Sequence, residues 1–411
     1  MKRPQNIQTI YLLLILGNTL AASFIWGINT IFLLDAGLSN FQAFLANAFF
    51  TLGMVIFEVP TGIVADTYGR RVSYLMGTLT LAFSTALYLL MWQIQGPFWG
   101  WAISSILLGL GFTFFSGAVE AWLVDALEAT KFKGHLEGVM AKGQIIGGIA
   151  MLTGAILGGV IAQYSNLGVP YIIRSVILVF TFILAFFFMK DLGFTPTKPK
   201  KPLSEMKLIL NQSITYGIKN PPVRWIMLSA PLLSGVSFYV FYALQPYLLK
   251  LYGDETAYGV AGLVAAIAAL AQICGGILTP YLRRIFEKRT SALAFGISVS
   301  AIAIFVAAYT NSFLIALLLI FVWGLMFAAL MPITQAYLNK LIPSAQRATV
   351  LSFNSLMGSS GGIVIQPVLG KAADVWSYSA SFGIASIIQI SALPFIYFAR
   401  RERSKADIID K

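Results

Sequence analysis

The sequence predicts an all-α integral membrane protein with twelve transmembrane helices in two six-helix bundles, and with both termini in the cytoplasm. Of its 411 residues, 58% are hydrophobic and 11% are charged, and the mean hydropathy is +0.80. Globular proteins carry about 25% charged residues. The apolar residues form twelve runs, each near the length of about 20 residues that a helical span needs. The runs do not alternate with period two, which favours helices over a barrel.

The predicted spans follow one another with short polar connections. In the first half they cover residues 8–33, 41–61, 73–93, 98–127, 140–163 and 170–189. In the second half they cover residues 223–249, 258–281, 291–309, 312–338, 349–372 and 376–399. The first run is longer than the apolar core of a secretory signal, so we expect it to remain as a span.

Basic residues predict the orientation of the chain. With the N-terminus inside the cell, all but three of the 28 Lys and Arg residues belong to cytoplasmic segments, the exceptions being Arg174, Lys250 and Lys371. This asymmetry follows the positive-inside rule. The net charge of +12 is spread over loops, so it does not indicate a nucleic-acid partner. Arg174 lies about one turn inside the outer face, and we expect it to snorkel outward.

A hydrophilic stretch divides the chain into two halves. We predict an N-terminal bundle at 1–189, a cytoplasmic basic linker at 190–222, and a C-terminal bundle with a short cytoplasmic tail at 223–411. Between Leu203 and Ile218 apolar residues recur every three or four positions. This spacing predicts an amphipathic helix on the inner membrane surface, and a plain tether is the alternative.

The two halves contain matching segments. Glu120-Ala121-Trp122-Leu123 corresponds to Gln335-Ala336-Tyr337-Leu338 at an offset of 215 residues. The polar stretch from Gly62 to Arg71 has a degraded copy from Gly276 to Arg284. An internal repeat of this kind implies two bundles related by an axis along the membrane normal.

The stretch between spans two and three reads G-x-x-x-D-x-x-G-R-R from Gly62 to Arg71. Its glycines permit a tight turn, and Asp66 lies one helical turn before Arg70. Together with the span count, the linker and the half-repeat, this motif resembles the major facilitator superfamily of transporters over nearly the whole chain. The resemblance implies a monomeric, multi-pass secondary transporter of a bacterial cell membrane, in which the two bundles expose a small-molecule substrate alternately to each side.

The resemblance also implies an inner gate. Asp66 would cap or contact a helix of the opposite half, and Arg70 would pair with Asp125 at the inner end of span four. The residues assigned to this gate are Gly62, Asp66, Gly69, Arg70, Arg71 and Asp125.

Two further carboxylates lie within predicted spans. A charged carboxylate in a transmembrane helix costs about 2.5–3.5 kcal/mol on insertion scales, so Glu58 and Glu120 are functional candidates. For Glu120 we favour proton coupling or substrate contact over a satisfied interhelical hydrogen bond. Glu58 lies beside Pro60. It either joins the gate network, which is narrowly favoured, or exchanges a proton.

In the resembled family, spans one, four, seven and ten line a central cavity. The residues predicted to line it are Asn18, Trp26, Asn29, Phe112, Ser116, Tyr239, Tyr242, Gln245, Trp323 and Gln335. Helix packing is the alternative interpretation for the aromatic members. Such a cavity suits an apolar, neutral or cationic solute, because no intramembrane Lys or Arg is placed to meet an anion.

The leading function is proton-coupled efflux of small lipophilic or cationic compounds. The run Gly154-Ala155-Ile156-Leu157-Gly158-Gly159 resembles the glycine motif of drug/proton antiporters, with Ala155 in place of its proline. Packing is the simpler interpretation of these glycines. A proton-coupled importer is the close alternative, and a lipid flippase or transport-fold sensor is the third. We expect no enzyme, cofactor or metal site, because the sequence lacks a phosphate-binding loop and a metal-ligand set.

Overall fold

The computed structural model describes residues 4–196 and 201–409, so Lys198 and Lys200 of the predicted linker lie outside the described residues. Sixteen α-helices follow one another along these ranges. They are α1 Pro4–Trp26, α2 Asn29–Asp35, α3 Asn40–Tyr68, α4 Arg70–Gln93, α5 Phe98–Thr113, α6 Ala118–Ala129, α7 Leu136–Tyr164, α8 Val169–Phe188, α9 Pro202–Ser213, α10 Pro221–Tyr252, α11 Tyr258–Ile285, α12 Arg289–Tyr309, α13 Phe313–Leu341, α14 Arg347–Val375, α15 Tyr378–Ile390 and α16 Leu393–Arg401.

Long apolar helices dominate the fold. Within the described ranges, eleven helical segments are long and apolar enough to cross a membrane. Two of them are interrupted, one between α5 and α6 and one between α15 and α16. Helix α14, at the predicted eleventh span, has 29 residues, but its many Ser, Asn and Gly residues lower its hydropathy. The all-α membrane fold is therefore confirmed, while the count of twelve spans and the side of the termini stay predictions.

A helix occupies the middle of the predicted linker. Helix α9 is followed by a π-helical turn at Ile214–Ile218, and α10 begins at Pro221, a first-turn position where proline is tolerated. The apolar side chains of Leu203, Met206 and Leu210 are exposed. The helix lies where the periodicity predicts one, and its location on a membrane surface stays a prediction.

Contacts divide the chain into two compact units. Unit 1 comprises the residues up to Gly37, Phe49–Glu205 and Thr256–Ala266, and unit 2 comprises Leu38–Ala48, Met206–Glu255 and Ile267–Lys411. The start of α3 thus packs in unit 2, and the start of α11 packs in unit 1. The bundle boundaries inferred from sequence stay predictions.

A side chain from the same unit caps the start of α3 and of α11. In unit 2, the carboxylate of Asp374 on α14 accepts hydrogen bonds from the backbone N–H groups of Asn40 and Phe41, at 2.9 and 2.8 Å. In unit 1, the Gln163 amide oxygen on α7 accepts from the Gly259 N–H at 3.2 Å. N–H groups in a first helical turn have no acceptor within their helix. The caps supply one, so they favour packing of each helix start in the unit where it is found.

Close backbone approach explains the glycines of span five. A Cβ at Gly158 would overlap the carbonyl oxygen of Phe24 on α1, and one at Gly159 would overlap the Tyr258 carbonyl oxygen at the start of α11. Small residues let membrane helices approach this closely. In unit 1 these glycines therefore serve the packing of α7 on two neighbours.

The C-terminal tail is part of the fold of unit 2. Asp407, only 4% exposed, accepts from the Thr290 N–H and the Thr290 hydroxyl, both at 2.8 Å. Arg289 donates to the Ala406 carbonyl oxygen at 2.6 Å. Asp407 thereby caps the first turn of α12. The sequence predicted only a short cytoplasmic tail, without this attachment.

We expect Asp407→Ala to lower the stability of the purified protein. The substitution leaves a buried backbone N–H and a hydroxyl without their acceptor, which costs about 1–3 kcal/mol. Thermal unfolding in detergent measures the effect. Lys405→Ala, a change at an exposed residue of the same tail, is the control and should melt like the parent. Equal melting of both variants would contradict the capping role.

Candidate functional site

Predicted span four is broken in the middle. Helix α5 ends at Thr113 and α6 begins at Ala118, with Gly117 at φ +66° in the left-handed region, where glycine carries no steric penalty. The adjacent Ser116 is exposed. Irregular backbone at membrane depth is tolerated where it is buried in protein or lines a cavity, and broken helices form the binding sites of many transporters. The break is therefore a candidate functional position.

A carboxylate from α3 reaches this break. The Ser116 hydroxyl donates to Oε1 of Glu58 at 2.7 Å. Glu58 is half-buried, and α3 contains Pro60 within its length. The structure thus joins Glu58 to Ser116, a residue of the predicted cavity. The narrowly favoured prediction was that Glu58 joins the gate residues, whereas this hydrogen bond links it to span four.

Glu120 lies on the other side of the break, in the first turn of α6. A negative charge is stabilised there by the helix dipole. The side chain is exposed, and it interacts electrostatically with Tyr11 on α1. Ser116 and Glu120 are separated by one helical turn in sequence. Unit 1 therefore carries two carboxylates, Glu58 and Glu120, at one irregular segment.

The gate residues form a different arrangement from the predicted one. Arg70 pairs with Asp66 of its own loop, with 2.5 Å between Nη1 and Oδ1. Among the described residues no ion pair joins Arg70 to Asp125, so that predicted pair was wrong for this structure. Asp66 lies one turn away from Arg70 across Gly69, and its proximity decides the pairing.

A segment that follows α8 lies against Arg70 and Arg71. This strap (residues 190–194) places Oδ1 of Asp191 2.9 Å from the backbone N–H of Arg71, capping α4. Arg70 lies over the Phe194 ring, 5.9 Å from its centroid. A Cβ at Gly69, which has φ +110°, would overlap the Asp191 carboxylate. Gly69 is thus required by its backbone conformation and by the strap.

The strap also lies against the inner end of span four. A Cβ at Gly193 would lie 2.6 Å from the carbonyl oxygen of Asp125, and the Trp122 indole donates to the Lys190 carbonyl oxygen at 2.8 Å. Sequence reasoning missed Asp191. The half-repeat was the signal that could have found it, because Asp407 follows the last span of the second half at nearly the same offset.

Burial raises the pKa of the Asp191 carboxyl above its ordinary value of 3.8. The hydrogen bond from Arg71 and the charges of Arg71 and Arg70 oppose this shift, and the desolvation effect is the larger one. Asp191 is therefore a cap whose proton is held more tightly in the folded protein than in the unfolded chain.

Arg174 is buried inside unit 1 and does not snorkel. It is 1% exposed, with Nε donating to the Thr85 hydroxyl at 3.0 Å and Nη1 to the Ala21 carbonyl oxygen at 3.2 Å. Its guanidinium lies 6.0 Å from the centroid of the Phe112 ring. The expectation that Arg174 snorkels to the outer face was therefore wrong, and Arg174 lies near Phe112, one of the predicted cavity residues. The apolar sequence of α8 gave no indication of which face points inward.

Unit 2 contains a cavity of about 320 Å³. Side chains from α10, α12, α13, α14, α15 and α16 line it, among them Gln335. Gln335 was predicted from its place on span ten. Ser300 and Gln389, on α12 and α15, also line the cavity and were not predicted, because their spans were not expected to border one.

Other predicted cavity residues lie in packed interiors. The buried ones are Asn29, Tyr239, Gln245 and Trp323. Asn29 accepts from the Tyr171 hydroxyl at 3.1 Å, and Tyr239 packs on Phe44 with 4.9 Å between ring centroids. These positions correct the expectation of an open lining. Asn18, Trp26, Phe112 and Tyr242 are half-buried, and a role in transport stays a prediction for the whole set.

No group of three or more potential metal ligands among His, Cys, Asp and Glu occurs in the described part of the chain.

Comparisons with known proteins agree with this architecture. The model of the Major Facilitator Superfamily matches residues 11–290 and 233–410. The chain is 26% identical over 353 residues to the multi-drug resistance efflux pump PmrA of Streptococcus pneumoniae, covering 84% of this chain and 83% of PmrA. It is 24% identical over 336 residues to the multidrug resistance protein MdtG of Salmonella typhimurium, covering 80% of this chain and 77% of MdtG.

A solved structure shows the same fold. The nucleoside transporter NupG superposes with a TM-score of 0.75 at 11% identity, covering 98% of this chain and 100% of NupG. This similarity confirms the predicted fold class.

We expect the titration of Asp191 to affect stability at acidic pH. Because the folded state holds this proton more tightly, the contribution is fully present below about pH 3.8 and is lost as the pH rises through the raised pKa. The substitution Asp191→Asn removes the titrating carboxyl and with it this contribution to stability. Melting temperatures measured from pH 3 upward should fall less with rising pH in this variant than in the parent. Glu137→Gln, which neutralises an exposed carboxylate on α7, should keep the parent's profile, and identical profiles for all three proteins would contradict the assignment.

Proposed function

Since the chain belongs to the major facilitator superfamily, we propose that it is a secondary active transporter that exports small lipophilic or cationic compounds in exchange for protons. The observation that carries the coupling is the Glu58–Ser116 hydrogen bond at the break in span four. A carboxylate within a transmembrane segment is costly, so it is a functional candidate by default. Its position beside irregular backbone would let it gain and lose a proton during alternating access.

Export is supported over import by the relatives. PmrA is an efflux pump and MdtG is a multidrug resistance protein by name, and each is covered over more than three quarters of its length. The altered glycine motif of span five does not oppose this proposal, because Gly158 and Gly159 are explained by helix packing.

The coupling role is divided between two carboxylates. Glu58 is half-buried and hydrogen-bonded, whereas Glu120 is exposed at the N-terminus of α6. We assign proton exchange to both residues as a pair, with Glu58 at the more enclosed position.

We expect Glu58→Gln and Glu120→Gln to reduce gradient-driven transport. In inverted membrane vesicles that contain the parent protein, an imposed pH gradient drives uptake of the dye Hoechst 33342. In vesicles with either variant, the rate of this uptake should be about tenfold lower. Exchange of the dye without a gradient should persist, because the amide keeps the size of the carboxyl. Glu137→Gln is the control. Variants that respond to the gradient like the parent would rule out proton coupling through these residues.

We expect Arg70→Ala to slow the transport cycle more than it weakens substrate binding. Arg70 contacts Asp66 and Phe194, whereas the hydrogen bond at the break joins Ser116 to Glu58. Dye exchange rates in vesicles report cycling, and dye binding to the purified protein reports affinity. Arg284→Ala, at the degraded second copy of the loop, is the matched control and should cycle normally. Lost binding with a normal exchange rate in Arg70→Ala would contradict the gate assignment.

A further inference from the structure

The cavity in unit 2 extends from accessible to buried residues. Met331, Gln335 and Ser355 are exposed, whereas Ser300 and Gln389 are buried at 2% and 6% exposure. The buried end reaches α12 and α15, beyond the faces of spans seven and ten on which a cavity was predicted. It therefore offers an enclosed site for part of a ligand.

No charged side chain lines this cavity among the described residues. A charged ligand group at its buried end would lose its hydration without meeting a counter-ion, which is far more costly than burying a neutral polar group that is hydrogen-bonded. The cavity thus selects against charge at its inner end.

Four hydroxyl groups of the lining have already used their protons. Ser229, Ser237, Ser300 and Thr334 each donate to a carbonyl oxygen three or four residues earlier in their own helix, at 2.7, 2.9, 3.1 and 3.0 Å. Each hydroxyl oxygen keeps its capacity to accept. These four positions therefore favour a ligand that donates hydrogen bonds.

Two amide oxygens strengthen the same preference. Gln389 donates through Nε2 to the Ser300 hydroxyl, and both residues line the cavity. Its Oε1 and the Oδ1 of Asn354 are buried and have no hydrogen-bond partner. A buried acceptor left without a donor costs about 1–3 kcal/mol. Gln389 lies at the interruption between α15 and α16, the kind of broken helix that forms binding sites in transporters.

We propose that this cavity is a subsite for an uncharged group that carries O–H or N–H donors on an apolar body. The acceptor oxygens of Gln389 and Asn354 bind the donors, and the apolar lining of α10, α12 and α13 holds the body. This subsite deepens the proposed export function and rests on it, because it names a neutral, hydrogen-bond-donating amphiphile as a preferred substrate.

Equilibrium binding to the purified full-length protein tests the subsite with three probes. Chloramphenicol is uncharged and has two hydroxyl groups and an amide N–H, its diacetate has both hydroxyls esterified, and tetraphenylphosphonium is a cation without donors. We expect Gln389→Met and Asn354→Leu, which replace each amide by an apolar side chain of similar length, each to weaken chloramphenicol binding about tenfold. Binding of the other two probes should change less than about twofold in the same variants.

Serine variants on α12 supply a matched control. Ser300 lines the cavity, whereas Ser298 makes the same kind of bond to its own helix, to the Ala294 carbonyl oxygen at 2.8 Å, and does not line it. Ser300→Ala should weaken chloramphenicol binding and Ser298→Ala should not. Melting temperatures near that of the parent establish that the variants fold.

The outcomes separate the subsite from the export function. Failure of the parent to bind chloramphenicol, equal binding of the diacetate, or unchanged affinity in Gln389→Met and Asn354→Leu would overturn the subsite. Proton-driven transport is measured separately in vesicles. If it is absent while chloramphenicol binding keeps the expected dependence on Gln389 and Asn354, the export function fails and the subsite stands.

Discussion

The N–H groups at the start of each helix need acceptors, and in this chain distant side chains supply several of them. Asp191 caps α4 and Asp407 caps α12. Each aspartate follows the last span of its half and bonds to the third span of the same half. A helix that starts near the membrane has little water to satisfy these groups. The same interaction thus attaches the segment after the last span of each half to the third span of that half. It is the clearest structural counterpart of the sequence repeat.

A second pair of caps relates the two halves to each other. Asp374 on α14 caps the start of α3, and Gln163 on α7 caps the start of α11. The positions correspond, but the chemistry does not. The carboxylate accepts from two N–H groups and the amide oxygen from one, and a charge-assisted bond is the stronger kind. The start of α3 therefore has the stronger of the two caps.

The sequence contained the fold class and the course of the helices, because long apolar runs and loop charges determine both. The interaction partner of an individual charged side chain could not be predicted from the sequence. Asp125 was chosen as partner of Arg70 by its place in the resembled family, whereas Asp66 and the strap lie closer. Arg174 was placed by depth alone, although the face on which it lies decides its burial. The amphipathic helix α9 could be predicted because polar residues alternate with apolar ones at helical spacing. In α8 nearly all residues are apolar, so the sequence does not show which face is buried.

The carboxylates proposed for proton coupling and the cavity proposed for substrate belong to different units, and this has a consequence for coupling. Glu58 and Glu120 belong to unit 1, while the cavity of unit 2 is lined by neutral side chains. On the proposed assignments, proton and substrate do not compete for one carboxylate. Coupling must then act through the conformational equilibrium of the chain, since two ligands at separate sites influence each other only by favouring different states. An uncharged substrate can be exported against its own concentration gradient by this route, driven by the proton gradient, because its binding requires no change of charge at its own site.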